Sequence, residues 1–327
     1  MTSTRSKVVR VQEKLRIPAA LLASGASGML MAAQSRVNGG LSQEIGNGYL
    51  AALVSFGSGL AMLAVIVLCS RRARAGVRRL VGEVRDGHYP VWGLLGGSCG
   101  AFFVLSQGLV ASVIGVALFT VGVVAGQVLG GLLMDRVGLG PGGRVDPSPR
   151  RIIGTGLAIV AVAISVAGGF GGGSPWLVIV PFIAGIGISW QSAVNGLVRA
   201  AAQSAVTATF LNFVVGTALL AVVAAISVGS QGWPQHWPTQ PVLYLGGVSG
   251  VIFIAVASMI VRIAGVLLLS MSNVAGQLIA SVLLEAGVPL AGGVSTGLLI
   301  GAAVALAAVA IAAAPGRAGG AGRRGRL

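Results

Sequence analysis

Charge is scarce in this sequence of 327 residues: 9% of the side chains are charged, and only seven are acidic. Soluble domains carry roughly 25%. Histidine and cysteine are nearly absent, at two residues each. His88 and His236 stand in polar connections, which leaves nothing from which to build a histidine metal centre or a nucleophile–base pair. Cys69 and Cys99 lie in or beside apolar runs and offer neither a disulfide framework nor a metal-ligand spacing. The glycine-rich string GLGPGGR at 138–144 lacks the Lys-Ser/Thr of a phosphate loop, so no nucleotide is implied. Metal and cofactor are therefore not expected, and a membrane-embedded enzyme is the weaker reading. Its acid–base groups would have to be buried, whereas every acid here falls in a connection or at the end of an apolar run.

What is abundant is apolar surface. The hydrophobic set makes up 55% of the chain and the mean hydropathy is +0.93. No aqueous core of this length hides that much, so the bilayer is the expected solvent. The net charge of +15 would suit nucleic acid on a single domain, but here it is split into short clusters between apolar runs, and no nucleic-acid partner is expected. A membrane-spanning helix needs about 20 mostly apolar residues. Ten stretches qualify: 18–38, 48–69, 91–110, 112–134, 152–169, 176–198, 206–228, 242–261, 264–284 and 295–314. The predicted fold class is an all-α polytopic membrane protein. Residues 1–33 look superficially like a secretory signal, yet the same helix recurs at 176–198, and a cleaved leader has no reason to be repeated.

Arginine and lysine set the orientation. With the N-terminus in the cytoplasm, the inner segments hold 21 of the 22 basic residues, and Arg36, at the outer end of the first span, is the exception. Both termini are then cytoplasmic.

The sequence also repeats itself. QSRVNG at 34–39 returns as QSAVNG at 191–196, an offset of 157 at which Ala51, Phe56, Gly59 and Leu63 match Ala208, Phe213, Gly216 and Leu220. Further on, the offset is 150: Gly97, Gly100 and Phe103 match Gly247, Gly250 and Phe253, VAGQ at 124–127 matches VAGQ at 274–277, and Asp135 meets Glu285. Each half thus holds five spans, an odd number, so the halves are expected to be inverted relative to each other, as in many secondary transporters. The predicted organisation is a basic N-terminal segment (1–16), a first five-helix repeat (17–169), a second, inverted repeat (170–314) and a basic, disordered tail (315–327).

Six amides stand inside these spans. Gln34 and Asn38 are four residues apart, as are Gln191 and Asn195, so each pair lies on one helix face. Gln127 and Gln277 complete the set. An unpaired amide in hydrocarbon costs several kcal/mol, so these faces point at protein or at a wet cavity. Interhelical glue, worth about 1 kcal/mol per group, is one role open to them. Lining a substrate cavity is the other, and amides on two helices of each half favour it. By spacing, Gln34 and Gln277 fall toward the outside, Gln127 and Gln191 toward the inside. Trp190, Phe102, Phe103, Phe119 and Phe253 are available as packing or pocket lining. The glycine stripe Gly122, Gly126, Gly130 predicts close helix contact.

The Q-S-x-V-N-G phrase, the A-x(4)-F-x(2)-G helix after it, G-x(2)-G-A-F-F and V-A-G-Q-x(5)-L-x-D together resemble the YdcZ family of bacterial inner-membrane proteins, within the drug/metabolite transporter superfamily. The resemblance covers nearly all of 17–314 and is to two fused five-helix units. It implies a ten-helix transporter in the inner membrane whose first, third and fourth helices of each half surround a central cavity lined by the six amides. The expected function is secondary or passive movement, chiefly export, of a small organic solute by alternating access, with a channel as the alternative. A single two-repeat chain would suffice. Asn212, Asn273 and Glu285 stand where the first half has Ser55, Val123 and Asp135, which predicts an asymmetric site. Relatives in the superfamily couple protons through a carboxylate in the first helix. Neither 23–34 nor 185–196 has one, and Asp135 and Glu285 are expected near interfacial water, so proton dependence should be weak.

Overall fold

The computed structural model describes residues 2–139, 143–144, 146–168, 174–253, 266–291 and 293–313. Among them every regular element is helical. Helix α1 runs Thr2–Ile45, α2 Gly48–Cys69, α3 Arg71–Arg85, α4 Gly96–Ser106, α5 Val116–Val137, α6 Pro149–Ala167, α7 Ile179–Ala202 and α8 Ala205–Gln231. Residues 246–253 form α9, followed by α10 (Val266–Gly287) and α11 (Thr296–Ala313). Six described stretches are long and apolar enough to cross a membrane: Gly48–Cys69, Val91–Ile114, Val116–Val137, Pro149–Ala167, Pro175–Ala202 and Ala205–Gln231. Helix α11 is a further apolar helix, slightly shorter than these. The predicted span 242–261 lies partly outside the described residues, and the tail 315–327 wholly so.

Helix starts follow local chemistry. Asn47 caps α2, its side chain accepting from the Tyr49 and Leu50 N–H groups at 3.1 and 3.0 Å. Ser70, Ser148 and Ser204 cap α3, α6 and α8 in the same way, relieving N–H groups that have no partner within the helix. Two boundaries differ from expectation. α1 continues past Gly39-Gly40 to Ile45 and stops at Gly46, whose φ of +65° suits a residue without a Cβ. The third span reaches Ile114, because after α4 the chain makes a π turn (Gln107–Ala111) and one more α turn before breaking at Gly115, φ +83°.

The basic connection after α2 contains an amphipathic helix. In α3 the residues Ala73, Gly76 and Leu80 recur on one face and are buried, while the arginines face outward. That face rests on α7 and α8. Arg79 Nη1 donates to Gln203 Oε1 at 2.7 Å, and Thr207 Oγ1 to the Ala73 carbonyl at 3.4 Å. Beyond α3, Tyr89 is buried with its hydroxyl donating to the Gly93 carbonyl at 3.3 Å. Desolvation pushes its phenol pKa up.

Packing crosses between the two halves of the chain. α1 lies against α10, α5 against α7, α2 against α8 and α6 against α11, with α4 seated on α7 and α8. One apolar core joins both halves, including Phe103 and Phe119, whose ring centroids are 6.0 Å apart, with Val121, Val274 and Leu278. Large apolar side chains such as Leu22, Leu68, Ile226 and Leu283 remain exposed on the outside, the surface a bilayer would cover.

Candidate transport site

The polar residues inside the bundle form two groups of matching design. In the first, α1 presents Gln34 and Asn38, α2 presents Ser55, and Gly246 and Gly250 of α9 press on them. A Cβ at Gly250 would lie 3.1 Å from Gln34 Nε2, and one at Gly246 would lie 2.7 Å from Ser55 Oγ and nearer still to Asn38 Oδ1. In the second, α7 presents Gln191 and Asn195, α8 presents Asn212, and Gly96 and Gly100 of α4 press on these. A Cβ at Gly100 would lie 3.0 Å from Gln191 Nε2; one at Gly96 would lie 3.1 Å from Asn212 Oδ1 and 3.3 Å from Asn195 Oδ1. Only glycine lets the helices come this close.

Phe56 and Phe213 stand between the groups. Their ring centroids are 4.9 Å apart, each ring lies over the other helix's glycine (Gly216 and Gly59), and their tips approach Gly100 and Gly250 respectively.

The groups differ in closure. Asn38, Ser55 and Gln34 are all buried, whereas in the second group Asn212 is buried but Gln191 and Asn195 are half-buried. Several buried atoms have no hydrogen-bond partner among the described residues: Asn38 Oδ1, Ser55 Oγ, Gln191 Oε1 and Asn212 Nδ2. Such atoms are costly unless water, a ligand or a second conformation satisfies them.

Gln107 escaped the sequence reading. It is fully buried in the π turn, where its Oε1 accepts from Asn38 Nδ2 at 2.6 Å and its Nε2 donates to Ser35 Oγ at 2.9 Å. A lone amide within a predicted span was the available signal.

Gln277 and Gln127 sit apart from both groups, at helix contacts. A Cβ at Gly28 of α1 would lie 2.8 Å from the Gln277 N, and one at Gly185 of α7 the same 2.8 Å from the Gln127 N. Gln277 is buried with both amide atoms unpartnered among the described residues; Gln127 is half-buried, and its carbonyl accepts from Ser189 Oγ at 2.9 Å. Of the aromatic candidates, Phe103 and Phe119 belong to the apolar core, Phe253 and Trp190 pack against apolar clusters, and Phe102 is exposed.

The two acids do not share an environment. Asp135 pairs with Arg151, and both side chains are partly exposed, as expected for an interfacial charge. Glu285 departs from expectation. It is 1% exposed, its Oε2 accepting from the Val116 N–H at 2.6 Å and its Oε1 from the Ala291 N–H at 3.2 Å. The start of α5 satisfies this carboxylate in place of interfacial water. Among the described residues, no three His, Cys, Asp or Glu side chains converge in a way that could hold a metal ion.

Apolar helices enclosing neutral amides define a polytopic membrane protein of transporter type. The chain belongs to the family described as "Putative inner membrane exporter, YdcZ", whose pattern matches residues 19–164 and again 176–314. No curated protein matches it. Among solved structures, one crystal structure of a protein is 21% identical over 90% of this chain and 96% of its own, with a TM-score of 0.53, a likeness of fold. The protein is thus a multi-pass inner-membrane protein of an exporter family.

Proposed function

We propose that this chain is a secondary or passive exporter of a small organic solute, built as two inverted five-helix repeats with ten spans and working by alternating access. The observation that supports it best is the matched pair of polar groups. At the repeat offsets, Gln34, Asn38 and Ser55 correspond to Gln191, Asn195 and Asn212, and Gly246 and Gly250 to Gly96 and Gly100. Two equivalent groups with one closed and one half-open are what a pseudo-two-fold transporter caught in one of its states would have. In this reading the closed group faces outward, the half-open group faces the cytoplasm, and both termini are cytoplasmic. The six amides line the pathway, with Gln127 and Gln277 at the helix contacts that shift between states. Asn212 in place of Ser55 makes the inner group the richer in hydrogen bonds.

The test is flux in proteoliposomes, with substrates first found by thermal stabilisation of the purified protein across a metabolite and drug panel. Saturable counterflow is expected. Gln34→Ala and Gln191→Ala should each lower flux per folded molecule about tenfold. Normal flux in both variants would place the pathway elsewhere, and flux without counterflow would make the protein a channel.

A further inference from the structure

Glu285 ties together one end of the bundle. Its carboxylate sits where α5 begins, on N–H groups without partners inside the helix and at the positive end of the helix dipole. A Cβ at Gly115 would lie 2.7 Å from Glu285 Oε1, so only glycine allows the chain to enter α5 beneath this carboxylate. Neighbouring bonds draw in two more segments. Arg36 Nε of α1 donates to the Val288 carbonyl at 2.8 Å and lies within electrostatic reach of Glu285. Gln43 Nε2 of α1 donates to the Ser112 and Leu290 carbonyls at 2.6 and 3.1 Å. Moving the end of α10 away from α5 would break the Glu285–Val116 bond and leave the buried carboxylate with the Ala291 N–H alone, a costly state.

The same parts occur again in the sequence. Asp135 follows VAGQ of α5 as Glu285 follows VAGQ of α10, and Gly265-Val266 stands at the offset of Gly115-Val116. Val266, in α10, is by this offset the counterpart of Val116 in α5. Asp135, however, is held by Arg151 of α6. The second half has Gly292 where the first has Arg151, taking the offset of Thr155 to Thr296; the arginine near Glu285 is Arg36 of α1, whose Nε donates to the Val288 carbonyl.

We infer that the two acids are reciprocal latches: Glu285, capping Val116, locks the outer side closed, and Asp135 is the latch of the inner side, kept released by Arg151 and capping Val266 in the opposite state. This rests on the sidedness proposed above. Both are positioning residues, acting on helix contacts and not on the solute.

The experiment reads accessibility and needs no substrate. Ser42→Cys, in a Cys69→Ser, Cys99→Ser background, reports on the closed end: Ser42 is buried and adjoins Gln43. A membrane-impermeant maleimide added to spheroplasts should label it slowly in the otherwise unmutated chain and about tenfold faster with Glu285→Ala. If Glu285→Ala does not yield folded protein, Glu285→Gln, which keeps the volume but loses the charge, carries the same expectation.

Arg151→Gln, on the far side of the molecule, should also speed labelling, roughly threefold, by freeing Asp135. Adding Asp135→Asn should abolish that gain. Unchanged labelling in a folded Glu285 variant overturns the outer latch. An Arg151→Gln effect that persists without Asp135 overturns the inner one. Labelling only from the cytoplasmic face, in inverted vesicles, would overturn the sidedness instead, and the same variant comparisons made from that face would then judge the latches.

Discussion

At the scale of single residues, the recurring device is a glycine that lets a neighbour's side chain or backbone occupy the place of its missing Cβ. Phe56 over Gly216 and Phe213 over Gly59 use it reciprocally, so each ring fills a space that alanine would close. A Cβ at Gly216 would lie 2.7 Å from Phe56 Cδ1, and Phe56 is buried with little freedom to move. Gly216→Ala should therefore lower stability by about 1–3 kcal/mol, the usual cost of overpacking. The measurement is the midpoint of thermal unfolding in detergent. Phe56→Ala combined with Gly216→Ala should lose less than the two single changes together, because the ring that the new methyl strikes is gone. Strict additivity would shift the blame to the Gly97 carbonyl, 3.0 Å from the same Cβ position.

At the scale of elements, α3 is the piece most easily detached from the bundle. It is a 15-residue helix pinned to the α7–α8 turn by Leu80, by the close approach of Gly76 to Thr207 and by Arg79 on Gln203. Its anchorage is thin, because only one face is apolar. Leu80→Asp should release it, since a carboxylate cannot be buried there without a partner. Trypsin cleavage after Arg78 and Arg79 in detergent solution is then expected to accelerate about tenfold, with the melting of the bundle little changed. An unchanged cleavage rate would mean that the polar bonds alone hold α3.

At the scale of the whole molecule, the most extensive helix pairings run between the halves: α1 with α10, α5 with α7, α2 with α8, α6 with α11. Each half presents its small residues to the other, so neither is expected to be stable alone. The basic residues make the orientation testable. With the halves inverted, Gly172→Cys should label from outside and Gly320→Cys only from the cytoplasm, in the cysteine-free background and with an impermeant reagent. Labelling of both from one side would exclude the inverted arrangement and with it the pseudo-two-fold transport cycle.

The sequence by itself determined the class: hydropathy reports the solvent, and the family's phrases, repeated at 157 and 150 residues, mark the same two segments that the family pattern matches. It also picked out Gln34, Asn38, Gln191 and Asn195 as buried or half-buried polar groups, because any amide in an apolar run must find company. It could not reveal which groups meet. Ser55 joins Asn38 and Gly246 from segments far apart in the chain, Gln107 reaches Asn38 only through a π turn, and Gln277, alike in sequence, stands elsewhere. Nor could it tell Asp135 from Glu285, equivalent by repeat. Whether a carboxylate meets water or the start of another helix depends on how closely the helices approach, and that distance belongs to the tertiary structure alone.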